Sequence, residues 1–131
     1  MAELRYQVVI DGTDTAGDYS ETNTSEDTGP VFVQDLTSVA RVQVNVPKNG
    51  VVVTLATNLD RGGVEAYSFV AITSPSTFLV GKDTAAGAER WAVAAGGWFM
   101  CHCNDTQSDL TLRNDSQSDI VATAYFGGTV T

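Results

Sequence analysis

Residues 40–57 read ARVQVNVPKNGVVVTLAT, and this stretch decides the fold class. From Ala40 to Val46 every second residue is apolar and the residues between them are polar, which is the period of a half-buried β-strand. Asn49-Gly50 then supplies turn chemistry, and a second apolar run follows it. The stretch therefore predicts two strands joined as a β-hairpin.

The rest of the chain carries the same short strand signals, punctuated by turn residues such as Ser74-Pro75, Gly96-Gly97 and Gly127-Gly128. We expect the last of these pairs to end the final strand. The polar sequence NDTQSD at 104–109 returns as NDSQSD at 114–119, which predicts two similar turns around one short strand. Loops are expected at 58–65 and 82–88. The other predicted strands are 4–10, 31–36, 67–73, 77–80, 90–95, 98–103, 110–113 and 120–126.

Together these segments give about nine or ten short strands with turn signals at intervals of about 8–12 residues. Short connections favour antiparallel pairing. The sequence therefore predicts an all-β fold, an antiparallel, jelly-roll-like β-sandwich.

Residues 11–29 differ from the rest, since they hold six acidic residues and no basic one. We expect an exposed loop or arm, which divides the chain into an amino-terminal strand and arm (1–30) and a sandwich domain (31–131). Clustered carboxylates suit Ca²⁺, but their spacing differs from the twelve-residue calcium loop, so we favour a solvated acidic loop.

The charge balance argues against several classes of partner. The chain has 16 acidic and 7 basic residues and a net charge of −9, which repels nucleic acid and anionic lipid. No apolar run reaches the roughly 18 residues of a membrane span, and no secretion signal is indicated at residues 1–5. We therefore expect neither a nucleic-acid nor a membrane partner.

Cys101-His102-Cys103 is the segment most suggestive of chemistry, because thiolate and imidazole bind zinc. On a strand, however, His102 points away from both cysteines, and the sequence has no further Cys or His to complete a four-ligand site. The same alternation separates a Cys101–His102 catalytic pair. We expect no metal, no cofactor and no enzyme activity.

Several strands are apolar on both faces, which is clearest in Trp98-Phe99-Met100-Cys101. A sandwich buries only one face of each sheet, so a second apolar face predicts coverage by loops or by another subunit. The candidate interface residues are Tyr6, Val31, Val52, Trp91, Trp98, Met100, His102, Val121 and Tyr125.

The order of segments over residues 31–128 resembles a β-sandwich of tailed-bacteriophage structural proteins. The resemblance rests on the valine-rich strand with its Pro-x-Asn-Gly turn, the strand pair at 67–80, the Gly-Gly turn before the aromatic strand at 98–103, and the final strand ending in Phe-Gly-Gly. It implies a virion component, and a capsid decoration (cement) protein is favoured. Such a protein is made in the bacterial host cytoplasm, and it binds across junctions of the major capsid protein, commonly as a homotrimer.

An enzyme, such as a hydrolase fragment, remains open as the least favoured alternative, and two other functions rank above it. One is a tail, neck or baseplate component. The other is a carbohydrate-binding host-attachment module, in which exposed aromatic side chains stack on sugar rings.

Overall fold

The computed structural model describes residues 2–6, 9–14, 17–22, 31–36, 38–55, 60–64, 66–81, 90–102 and 110–129. The regular structure within these ranges is β-strand. The strands are β1 (Ala2–Tyr6), β2 (Val9–Asp14), β3 (Gly17–Thr22), β4 (Val31–Leu36), β5 (Ser38–Val46), β6 (Val52–Leu55), β7 (Ala66–Thr73), β8 (Phe78–Gly81), β9 (Trp91–Val93), β10 (Trp98–His102), β11 (Leu110–Arg113) and β12 (Ile120–Thr129).

Strands β5 to β12 build two four-stranded antiparallel sheets. Sheet 1 has the order β10-β7-β12-β5, and sheet 2 has the order β6-β11-β8-β9. The chain pairs as a nested series, β5 with β12, β6 with β11, β7 with β10 and β8 with β9. A long hairpin rolled up in this way is a jelly roll, so the predicted fold is confirmed, with eight strands in the sandwich itself.

The core lies between the two sheets, because the inward positions of both are apolar. Phe126, Ile72 and Val46 from sheet 1 and Leu112 and Val80 from sheet 2 are each 0% exposed. All five belong to one continuous cluster. The alternation seen from Ala40 to Val46 is kept, since Val44 and Val46 are buried while Arg41, Gln43 and Asn45 are exposed.

The predicted hairpin at residues 40–57 is wrong in its pairing, although its turn is in the expected place. Asn49 and Gly50 have φ values of 66° and 78°, the left-handed region that this Asn-Gly pair adopts easily. Strand β5 nevertheless pairs with β12 and β6 pairs with β11, in different sheets. The turn therefore carries the chain across the sandwich.

The connections β5–β6, β7–β8, β9–β10 and β11–β12 lie at one end of the sandwich, and hydrogen bonds join them in pairs. The amides of Asn49 and Gly50 donate to the carbonyls of Ser116 (3.0 Å) and Asn114 (2.8 Å). The amide of Gly96 donates to the carbonyl of Ser74 (2.8 Å). The two glycine-containing turns thus bond to other turns across this end of the fold.

Asn114 is the centre of the β11–β12 turn and is 0% exposed. Its Nδ2 donates to the carbonyls of Val46 (3.2 Å) and Ser118 (2.7 Å). Its Oδ1 accepts from the amide (3.0 Å) and the hydroxyl (2.7 Å) of Ser116. The predicted polar turn at 114–119 is confirmed, and its asparagine satisfies buried backbone groups of two elements.

Three further predictions are corrected by the structure. The single strand 4–10 is replaced by β1 and β2, and part of the predicted acidic loop forms the antiparallel hairpin β2–β3. The third correction is that β12 continues through Gly127-Gly128 to Thr129, with a register shift between the two glycines. The described part of the loop predicted at 58–65, residues 60–64, is a turn and contains no strand. Residues 23–30, 82–88 and 104–109, which carry the remaining loop predictions, lie outside the described residues, and an arm function for 1–30 stays a prediction.

We predict that Asn114→Ala lowers the free energy of unfolding by about 2–4 kcal/mol, because it leaves buried carbonyl and amide groups without partners. Urea unfolding followed by circular dichroism measures the change. Gln117→Ala, in the exposed part of the same turn, is the control, and it should stay within about 0.5 kcal/mol of the unsubstituted protein. Equal effects of the two substitutions would contradict the role given to Asn114.

Candidate functional site

Four side chains form a surface that we call the aromatic face: Trp98 and Met100 on β10, and Val121 and Tyr125 on β12. Both strands pair with β7, where Met100 and Tyr125 lie opposite Ala71 from either side. Paired residues share a face, and alternate residues of one strand do the same. Trp98 is 53%, Val121 47% and Met100 38% exposed, so the outer face of sheet 1 is rich in exposed apolar surface.

Ring contacts connect β10, β12 and β5 across the aromatic face. The rings of Trp98 and Tyr125 lie 6.0 Å apart at 36°. The guanidinium carbon of Arg41 lies 6.0 Å from the centroid of the Tyr125 ring, at the outer limit of a cation–π contact. Gln43 and Thr123, paired with each other in the next row, are uncharged. Among the described paired residues on this face, Arg41 is thus the one charged side chain.

Strands β9 and β10 are the last strands of sheet 2 and sheet 1, and we call their shared side of the sandwich the open edge. Trp91 is 62% exposed there. Its ring stacks on Phe99 with centroids 6.1 Å apart at 25°. A groove of about 450 Å³ runs between the strands, lined by Trp91, Ala92, Val93, Ala94, Gly97, Trp98, Phe99 and Met100.

The core is incompletely covered at the open edge. Phe99 and Cys101 pair with Ile72 and Val70, so they occupy inward positions of sheet 1. Ile72 is 0% and Val70 1% exposed, whereas Phe99 and Cys101 are only half-buried. A further strand or surface placed against β10 would complete their burial.

The structure brings together four of the nine candidate interface residues in the aromatic face, and it places Trp91 beside them at the open edge. His102 continues β10 in register with Phe69. Val52 is half-buried on β6 of the other sheet. Tyr6 and Val31 pair with each other across β1 and β4. Their participation in an interface stays a prediction.

The residues considered for metal binding or catalysis lie on strands and in one turn of the described part of the chain. Among those residues, no group of three or more His, Cys, Asp or Glu side chains is placed to hold a metal ion. Cys101 is a free, half-buried thiol, and Cys103 lies outside the described ranges. The absence of a metal at Cys101-His102-Cys103 therefore stays a prediction.

The described acidic side chains of the β11–β12 turn make structural contacts. Asp115 Oδ1 accepts a 2.6 Å hydrogen bond from Nε of Arg113 and forms an ion pair with it. Asp119 Oδ1 accepts from the amide of Lys48 at 2.9 Å. Asp11 and Asp18, considered for calcium, lie on β2 and β3. Both contacts of the turn acids stabilise the turn rather than form a binding site.

Within the described residues, no helix has the length and apolar character needed to cross a membrane. Comparison with protein-family models, with curated proteins and with solved structures gives no match for this chain. The aromatic face and the open edge are therefore interpreted from their own geometry.

Sequence reasoning missed two features of this surface. The stacking of Trp91 on Phe99 joins different sheets, and the approach of Arg41 to Tyr125 joins strands that are far apart in the chain. Neither has a local signal, because both depend on nested strand pairing. The feature of this surface that the sequence did indicate is that β10 is apolar on both of its faces.

We predict that Trp98→Ser changes the free energy of unfolding by less than about 1 kcal/mol, because half of the indole already contacts water. Phe126→Ala, at a position that is 0% exposed, is the comparison and should cost about 3–5 kcal/mol. Urea unfolding at about 1 µM protein, where association contributes little, measures both values. A cost for Trp98→Ser as large as that for Phe126→Ala would show that the indole is buried in solution.

Proposed function

We propose that this chain is a non-enzymatic structural protein of a tailed-phage virion, which binds across junctions of the major capsid protein and stabilises the head. The observation that carries the proposal is the exposed apolar surface formed by the aromatic face and the open edge. Exposing Trp91, Trp98 and Met100 to water gives the folded chain no stabilisation, so a protein partner that buries them is favoured.

The free energy gained by burying these apolar side chains indicates that such a protein depends on multivalent binding. Fully burying one large apolar side chain contributes about 1.5–3 kcal/mol, and these side chains are already about half-buried. A single copy therefore gains a few kcal/mol, which alone corresponds to a dissociation constant near the millimolar range. Many copies on one shell, or several joined copies, bind far more tightly through multivalency. Binding to the assembled state alone then stabilises it by mass action.

Charge and architecture agree with this proposal. The net charge of −9 favours solubility at high copy number and opposes binding to phosphate backbones. The jelly roll is an architecture that viral capsid domains use, and lectin domains use it too. A fold alone does not define a function, so the chemistry of the exposed surface has to distinguish a capsid protein from a lectin.

A carbohydrate-binding module is the second candidate, because two exposed indoles, Trp91 and Trp98, flank the groove. Against it, the described groove lining has no carboxylate, amide or hydroxyl side chain, and the two indole N–H groups are its side-chain donors to sugar hydroxyls. A glycan array with the purified chain tests this candidate. Binding that Trp91→Ala and Trp98→Ala both abolish would favour the sugar and displace the capsid proposal.

We predict that heads of the source phage assembled without this chain release DNA at a lower temperature than complete heads. Adding the purified chain should raise the release temperature back to that of complete heads. The reason is that a ligand of the assembled shell stabilises it. The Trp98→Ser chain should bind the heads at least about tenfold more weakly, so that about tenfold more of it is needed for the same rise in release temperature. The reason is that an aromatic side chain in an interface commonly contributes more than about 1 kcal/mol to binding. Gln117→Ser is the matched exposed control and should behave as the unsubstituted chain.

Imaging of the same particles supplies the decisive outcomes. Density for the chain on the outer capsid surface, with the aromatic face or the open edge covered, supports the proposal. Density at the tail, neck or baseplate would replace it with the tail alternative. A chain absent from all particles would overturn both.

A further inference from the structure

We propose that two copies of this chain associate through the free edge of β10, with the two β10 strands antiparallel about a twofold axis, so that sheet 1 continues from one copy into the other. This association is a property of the purified chain and does not depend on the proposed virion function.

The first argument is that no described strand protects one of the two edges of β10. Among the described residues, β7 pairs with β10 on one side and no strand pairs on the other. Proteins usually protect such an edge with charged residues, proline or a bulge. The segment Trp98–His102 (WFMCH) contains no Lys, Glu, Asp, Arg or Pro. Its pairing with β7 runs through all five residues without a register shift.

The second argument is that another strand would complete the core here. The inward residues Phe99 and Cys101 are half-buried, and the outward Trp98 and Met100 are 53% and 38% exposed. A strand hydrogen-bonded to the free edge would cover both faces of β10 at once. Main-chain pairing then supplies recognition, and the side chains supply apolar burial.

The third argument selects a second copy as the occupant. Two chains of net charge −9 repel one another, but repulsion is screened over about 8 Å at physiological salt. Residues 91–101 carry no charged side chain. Arg41, on β5, is three strand spacings away from β10, or about 14 Å. Because this edge is uncharged, it offers no ion pair to a charged strand of another protein. Two copies of this acidic chain can also approach each other at this edge with little electrostatic repulsion.

The fourth argument is the fit of the strand to itself. The register that pairs all five residues centres on Met100, which then faces Met100 of the second copy. It places Trp98 opposite His102 and Phe99 opposite Cys101. A large inward residue thus meets a small one on each side of the axis, which suits a packed interior.

Sedimentation of the purified full chain between about 1 and 100 µM tests the proposal. We expect a shift with concentration from the 13.8 kDa chain to twice that mass. Met100→Lys should raise the dissociation constant at least about tenfold, because two ammonium groups would meet at the axis. Val121→Lys is the control, since Val121 is exposed on the same face but lies on β12, two strands from the edge.

A cross-linking experiment keeps the test independent of stability. In a Cys101→Ser, Cys103→Ser background, Met100→Cys should form a covalent dimer on mild oxidation, and Val121→Cys should not. A chain that stays monomeric at about 100 µM, or a trimer of three times the chain mass, overturns the twofold pairing. Equal loss of association in Met100→Lys and Val121→Lys would likewise overturn it, because the contact would then be the whole face and not the edge.

Discussion

Strand β12 is hydrogen-bonded to β5 on one side and to β7 on the other, and this double pairing constrains everything around it. Its inward residues Ala122, Ala124 and Phe126 are all 0% exposed, so the core of sheet 1 is closed along its middle. With β12 inserted between β5 and β7, those two strands cannot pair with each other. The Asn49-Gly50 turn leads instead into the other sheet, where β6 pairs with β11, so the chain rolls up and does not form consecutive hairpins.

The same constraint accounts for the open edge. With β12 on one side of β7, the other side of β7 is left for β10, which becomes the end of sheet 1. The short connection at Gly96-Gly97 fixes β9 at the corresponding end of sheet 2. Two strands bearing Trp91, Trp98 and Phe99 thus lie together where the sandwich has no further strand within the described residues. The exposed aromatic surface is a consequence of topology as much as of composition.

The sequence allowed the strands to be predicted well and their partners poorly, for a physical reason. Alternation and turn residues are local, so Ala40 to Val46, the Asn49-Gly50 turn and the turn at 114–119 could all be recognised. Pairing is non-local, so the expected hairpin at 40–57 was wrong. Residues of the candidate site followed the same division. The two apolar faces of the segment 98–101 could be recognised from the sequence, whereas the grouping of Trp98 and Met100 with Tyr125 required the register through β7.

The chain has two tryptophans, and both lie at the open edge with more than half of each side chain exposed. Their emission in the folded protein is therefore expected to lie closer to that of a solvated indole than that of a core tryptophan does, so unfolding shifts it less. A surface that covers the edge removes that water and shifts the emission toward shorter wavelengths. The wavelength of intrinsic fluorescence thus reports whether a partner surface covers this edge, and it responds little to folding of the core.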